Sequence, residues 1–167
     1  IYDGQGLLAT RRINQQMSHP DMQNYGRAVL GTYRANGGEL RIELTDDADG
    51  MVVADRAVIR PWDRIVESVD NLGDGYEEEG DQWRPGRLSG AYGSSYRCAP
   101  PGTADAMWNA YDLPPGPYEV FATWIPGENR ASNATYHISD GSERIWTVRL
   151  NQRKSPDAVE AQGHMSV

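Results

Sequence analysis

Residues 113–124 read LPPGPYEVFATW. Leu113-Pro114-Pro115-Gly116 is a turn, because proline presets φ and glycine permits positive φ. Tyr118, Val120, Ala122 and Trp124 then alternate with Glu119, Phe121 and Thr123. A period of two sends successive side chains to opposite faces, so this stretch is a strand, and its apolar content places it near a sheet centre. The same grammar recurs on either side. Leu40, Ile42 and Leu44 alternate with Arg41, Glu43 and Thr45. Met51 to Ile59, Ile65 to Asp70 and Ala104 to Tyr111 read as further strands. Thr135 to Ser139, a turn at Asp140-Gly141 and Arg144 to Leu150 make a hairpin. Residues 71–95 are rich in Gly, Asp, Glu and Tyr and read as long loops with room for one short strand. Asp157 to Ala161 suits one helical turn.

Short strands separated by turns predict an all-β fold, a β-sandwich. The expected core draws on Leu40, Ile42, Leu44, Val120, Ala122, Trp124, Ile145 and Val148. Ile145 and Val148 lie an odd number of positions apart, so both face inward only if a bulge intervenes.

The chain has 167 residues, nine Tyr and five Trp but one Phe, with 18 Gly and 10 Pro. Aromatics with a polar handle and abundant turn formers fit the same fold. The formal net charge of -8 opposes a nucleic-acid partner, since phosphate contacts require a basic surface. No run approaches the ~20 apolar residues of a membrane-spanning helix, so no membrane insertion is expected. Cys98 is the single cysteine, which excludes an intrachain disulfide.

The sequence also repeats itself. Residues 1–30 align with 138–167 at an offset of 137, without gaps. IYDGQGLLATRRINQ faces ISDGSERIWTVRLNQ, and Ser18 faces Ser155 and Gly26 faces Gly163. Nine of thirty positions are identical; average composition gives roughly two. The chain opens on Ile1 and starts and stops inside this repeat, so it is expected to be part of a longer polypeptide. Three segments follow: 1–61 as the closing part of one sandwich repeat, 62–64 as a short linker, and 65–167 as the opening and middle of the next. Each part lacks strands that the other has. The expected solution is head-to-tail completion by neighbouring copies, along one chain or across a subunit boundary, which propagates without closing. Closure within one chain is disfavoured, because two copies of the Asn-Gln hairpin compete for one place.

Several motifs in consistent order resemble the golvesin/xanthan-lyase carbohydrate-binding-like domain. They are VDNLGDGYEEEGDQW at 69–83, GSSYR at 93–97, LPPGPYEVFATW at 113–124, NRASNATYHI at 129–138, VRLNQ at 148–152, and the closing LTDDADGMVVADRAVI at 44–59. The resemblance implies a galactose-binding, jelly-roll type of sandwich and a module of large secreted bacterial proteins, hence an extracellular or cell-surface location. The family usually occurs as one terminal module, whereas here two copies abut.

Catalytic signatures are missing. His19, His137 and His164 lack metal-ligand spacing. There is no nucleophile elbow, phosphate loop or dinucleotide fingerprint. Carboxylate pairs abound, but nothing selects one, and Glu77-Glu78-Glu79 reads as a solvated loop. The chain is therefore expected not to be an enzyme. No cofactor is expected, although the turn Asp46-Asp47-Ala48-Asp49-Gly50 makes Asp46, Asp47 and Asp49 candidate Ca²⁺ ligands. Asp55, inside a strand, needs partners for its carboxylate. For a polysaccharide ligand, Trp83, Tyr92 and Tyr96 are the candidate contacts, because they fall in the loop-rich region, whereas Trp108, Trp124 and Trp146 fall on strand patterns. The leading expectation is a structural or adhesive repeat of an extracellular fibre or long surface protein. The alternative is a carbohydrate-binding accessory module of a polysaccharide-degrading enzyme.

Overall fold

The computed structural model describes residues 27–61, 68–87, 91–156 and 162–165. They form thirteen strands: β1 Ala28–Ala35, β2 Gly38–Thr45, β3 Val52–Ala54, β4 Arg56–Pro61, β5 Ser68–Asp70, β6 Tyr76–Glu79, β7 Arg84–Gly86, β8 Tyr96–Ala99, β9 Asp105–Leu113, β10 Gly116–Thr123, β11 Ala134–Asp140, β12 Glu143–Leu150 and β13 Gln162–Met165. The sheet orders are β1-β10-β4-β5, β13-β12-β11-β2-β9-β6 and β3-β8-β7. Every ladder between these strands is antiparallel. The protein is an all-β sandwich over one continuous core.

The alternating runs behave as their pattern dictates. Leu40, Ile42 and Leu44 of β2 and Val120 and Ala122 of β10 are buried, as are Trp124 and Val148. β10 lies between β1 and β4, so it is a central strand. Its opposite face is covered too: the guanidinium groups of Arg27 and Arg60 lie 4.9 Å and 5.4 Å from the Phe121 ring centroid. The hairpin β11–β12 carries the expected bulge. Ile138 faces Trp146 while Ser139 faces Arg144, which leaves Ile145 as the extra residue. Val148 is buried and Ile145 packs against the core from a half-buried position.

Three elements differ from the sequence reading. Met51 to Ile59 is not one strand. It breaks at Asp55, and β3 pairs with β8 while β4 pairs with β10. The break lets the Asp55 carboxylate meet the Thr123 hydroxyl at 2.7 Å. Residues 71–95 contain two short strands, β6 and β7. Glu77, Glu78 and Glu79 lie in β6 at the sheet edge, and Glu78 receives a bidentate pair from Arg97 at 2.5 Å and 2.7 Å. Of the stretch Ile65 to Asp70, β5 occupies Ser68–Asp70. The hairpin copy at 1–15, the linker 62–64 and the helical turn at 157–161 lie outside the described residues.

The division into 1–61 and 65–167 does not divide the sheets. β1 and β4 flank β10 on both sides, β2 lies between β9 and β11, and β3 pairs with β8. Residues 28–61 thus fill places inside sheets otherwise built from residues 68–165. Where the sequence reading disfavoured closure within one chain, this structure has it.

Candidate functional site

The acidic turn after β2 is anchored in two directions. Asp46 Oδ1 accepts the Ala104 N–H at 2.8 Å, and the Asp46 carbonyl accepts Gly102 N–H at 3.2 Å. Asp46 is buried, and burial raises its carboxyl above the ordinary carboxylate value. Asp49 turns the other way. Its carboxylate accepts Ser132 N–H and Oγ–H at 2.6 Å and 2.5 Å, bonds that lower its pKa, and Arg153 lies 3.4 Å away. Asp47 is exposed. Asp46 and Asp49 therefore tie the turn to the loops at 102–104 and 132–133 instead of converging. Among the described residues no three His, Cys, Asp or Glu side chains form a group able to hold a metal.

The candidate sugar contacts are not an open platform. Trp83 and Tyr96 are buried. Trp83 Nε1–H donates to the Asp105 carbonyl at 3.1 Å, and Tyr96 Oη accepts from Arg130 at 3.2 Å. The Tyr96 ring lies against the backbone of Gly86, where a Cβ would approach it to 2.2 Å. Tyr92 is half-buried with the Arg56 guanidinium 3.8 Å over its ring. The loop-rich flanks suggested exposure, but an aromatic at a sandwich rim gains more by covering the sheet ends.

Two further features stand out, a groove that the sequence did not pick out and a corner around Asp55, whose need for partners it did. One is a groove of about 300 Å³ between Gly31–Arg34 of β1 and Ile145 and Trp146 at the β12 bulge. The bulge turns Trp146 to a half-buried position with its ring 6.1 Å from that of Tyr33. Tyr33 folds back so that its hydroxyl donates to the Leu30 carbonyl at 2.8 Å. Only glycine fits at position 31, where φ is 154° and a Cβ would meet Tyr33 Oη at 2.4 Å.

The other feature is the corner at Asp55. Asp55 Oδ2 accepts from Thr123 Oγ1 and from Tyr92 N–H at 3.4 Å, while Oδ1 is buried without a hydrogen-bond partner among the described residues. Burial pushes the carboxyl up to about 6, against the pull of those two bonds; Asp70 raises it further and Arg56 lowers it. An unfolded Asp titrates near 3.9. Between about pH 4 and 6 the folded state thus holds a proton that the unfolded state releases. This group's contribution is most favourable below about pH 4 and is lost as pH rises through about 6, a difference of about 3 kcal/mol. Asp55→Asn places an uncharged amide there, and its oxygen still accepts both bonds. It is expected to stabilise the protein by about 1–3 kcal/mol at pH 8 and by almost nothing at pH 4. Urea unfolding of both proteins across this range checks it; a difference independent of pH would remove Asp55 as its source.

The chain is an all-β sandwich in which the candidate residues Trp83, Tyr96 and Asp46 are buried. The chain belongs to the Golvesin C-terminal domain family, whose model matches residues 67–159, and this is a family of non-catalytic modules. The family is one of secreted or surface modules. Among the described residues no helix is long and apolar enough to cross a membrane. No curated protein and no solved structure matches the chain.

Proposed function

We propose that the chain is a structural or adhesive repeat of an extracellular fibre or long surface protein, joined head to tail to copies of itself and without catalytic activity. The observation that supports it is the source of the strands. Both neighbours of β10 come from residues 28–61, upstream of the family match. The sequence period of 137 residues assigns that same segment to the preceding repeat. On that assignment the segment that flanks β10 would belong to an adjoining repeat, as expected of a unit in a series. Sedimentation velocity over a wide concentration range, run beside a polysaccharide pull-down, tests the reading. It expects open-ended, concentration-dependent assemblies and no saturable polysaccharide binding. A monomer at all concentrations that binds one polysaccharide saturably would overturn it.

Carbohydrate binding is the second reading, and the groove beside Trp146 favours it. A half-exposed indole with the exposed Thr32 and Arg34 alongside offers a stacking face and polar partners for sugar hydroxyls. If this reading holds, Trp146→Ala lowers affinity about tenfold or more, the loss of one stacking residue. Trp83→Ala would then act through stability alone, because Trp83 is buried. Equal affinity in wild type and Trp146→Ala would exclude the groove.

A further inference from the structure

Residues 28–61 enter the sandwich as one unit. They supply β1 and β4 on either side of β10, β2 between β9 and β11, and β3 beside β8. Without them β10 has no neighbour at all, and β9 and β11 each lose one edge partner. The link from this unit to the rest is the six-residue stretch 62–67. The unit carries no other covalent tie to residues 68–165, so it can be supplied by a different copy without threading.

The sequence names a rival for the same place. YGRAVL at 25–30 and QGHMSV at 162–167 align at the offset of 137, with Gly26 on Gly163. Ala28 and Leu30 are buried on β1 and Val29 is exposed. The aligned residues keep that pattern, with apolar Met165 and Val167 around polar Ser166. Yet Gln162–Met165 is β13, at the outer edge of the six-stranded sheet beside β12, while Ala28–Ala35 occupies the place beside β10. Two segments of one pattern thus exist for one strand position.

A second duplication concerns β3. Gln152 pairs with both backbone polar groups of Val53. Gln15 stands at the matching position of the earlier copy. Val53 therefore also has two claimants.

We infer that residues 28–61 are an exchangeable unit: the 28–61 unit of one copy of this chain completes the 68–165 frame of another. This deepens the head-to-tail reading, on which its biological meaning rests, by naming the segment given and the place that receives it. An exchanged unit makes the same ladders as a retained one. The balance between the two is then set by concentration and by the link, the usual condition for strand exchange between identical chains.

Disulfide trapping tests the exchange without reading polysaccharide binding or fibre length. In a Cys98→Ser background, one protein carries Thr32→Cys and a second carries Glu119→Cys, positions that face each other across β1 and β10. The two are mixed, unfolded, refolded at high concentration and oxidised. The expected result is a disulfide-linked heterodimer about tenfold above the dimer formed by either protein alone. The pair Arg41→Cys and Ser139→Cys, facing across β2 and β11, repeats the test if the first pair folds poorly. If a control chain carrying both Thr32→Cys and Glu119→Cys closes within itself and the mixture of single variants gives no heterodimer, exchange does not occur. The fibre reading would then survive only with repeats joined along one continuous chain.

Discussion

Gln152→Leu is expected to lower the free energy of unfolding by about 3–6 kcal/mol, measured by guanidinium denaturation. Gln152 is wholly buried. Its Oε1 accepts the Val53 N–H at 2.8 Å, and its Nε2 donates to the Val53 carbonyl and to Tyr136 Oη, both at 2.9 Å. The side-chain amide thus acts as a neighbouring peptide would. It closes the edge of β3 that β8 leaves open, on a strand of three residues. Its own backbone is fixed by Gln152 N–H donating to the Ala131 carbonyl at 2.9 Å. Leucine has similar bulk but offers no polar group, so three buried groups lose a partner at about 1–3 kcal/mol each, less whatever relaxation recovers. Gln152→Glu should fare little better. A carboxylate accepts from Val53 N–H but gives nothing to the Val53 carbonyl, and as a buried charge it carries a desolvation penalty. A loss under about 1 kcal/mol for the leucine variant would mean that β3 does not depend on this amide.

Gln152 also shows where sequence reading reached and where it stopped. The Asn-Gln pair stood out because it occurs twice, at 14–15 and 151–152. Its role did not, because a polar pair after a hairpin resembles any loop, and the group it binds is 99 residues away. Local periodicity carried most of the fold. β2 and β10 follow from alternation, the β11–β12 hairpin from its Asp140-Gly141 turn, and the bulge at Ile145 from counting positions. Alternation was silent where both faces are buried, so the apolar run through Val52 and Ile59 concealed the corner at Asp55. It was equally silent on the edge strand β6, whose own residues include three glutamates in a row. Two of the candidate sugar contacts, Trp83 and Tyr96, are buried for a related reason. Glycine-rich flanks around Trp83 and Tyr96 describe a tight backbone, and here that backbone brings aromatic rings onto the rim instead of lifting them into solvent. The Asp46–Asp49 turn was seen as an acidic cluster, but hydrogen bonds to residues 102–104 and 132–133 draw its carboxylates apart. The groove at Trp146 needed the bulge and the β1 strand together, which come from opposite ends of the described chain.

Trp124→Ala is expected to cost about 3–5 kcal/mol. Trp124 follows the last residue of β10 on the inward side of its alternation and is 2% exposed. Its Nε1–H donates to the Lys154 carbonyl at 2.9 Å, so it ties the end of a central strand to the loop that follows β12. Alanine leaves a large cavity in one continuous core and strips that carbonyl of its donor. Phenylalanine separates the two contributions. Trp124→Phe retains much of the packing and loses the hydrogen bond, for an expected loss of about 1–2 kcal/mol. Trp108 supplies the contrast. It is equally buried and packs on Tyr76 with ring centroids 5.6 Å apart, but its Nε1–H has no hydrogen-bond partner among the described residues. Trp108→Phe removes an unmatched donor along with some packing, so it should be milder than Trp124→Phe. Parallel urea unfolding of the three variants checks the order Trp124→Ala, Trp124→Phe, Trp108→Phe from most to least damaging. If Trp124→Ala cost under about 1 kcal/mol, the inward face of β10 would not be the one assigned here. If Trp108→Phe proved the worse of the two phenylalanine variants, packing alone would explain both tryptophans and the bond to Lys154 would count for little.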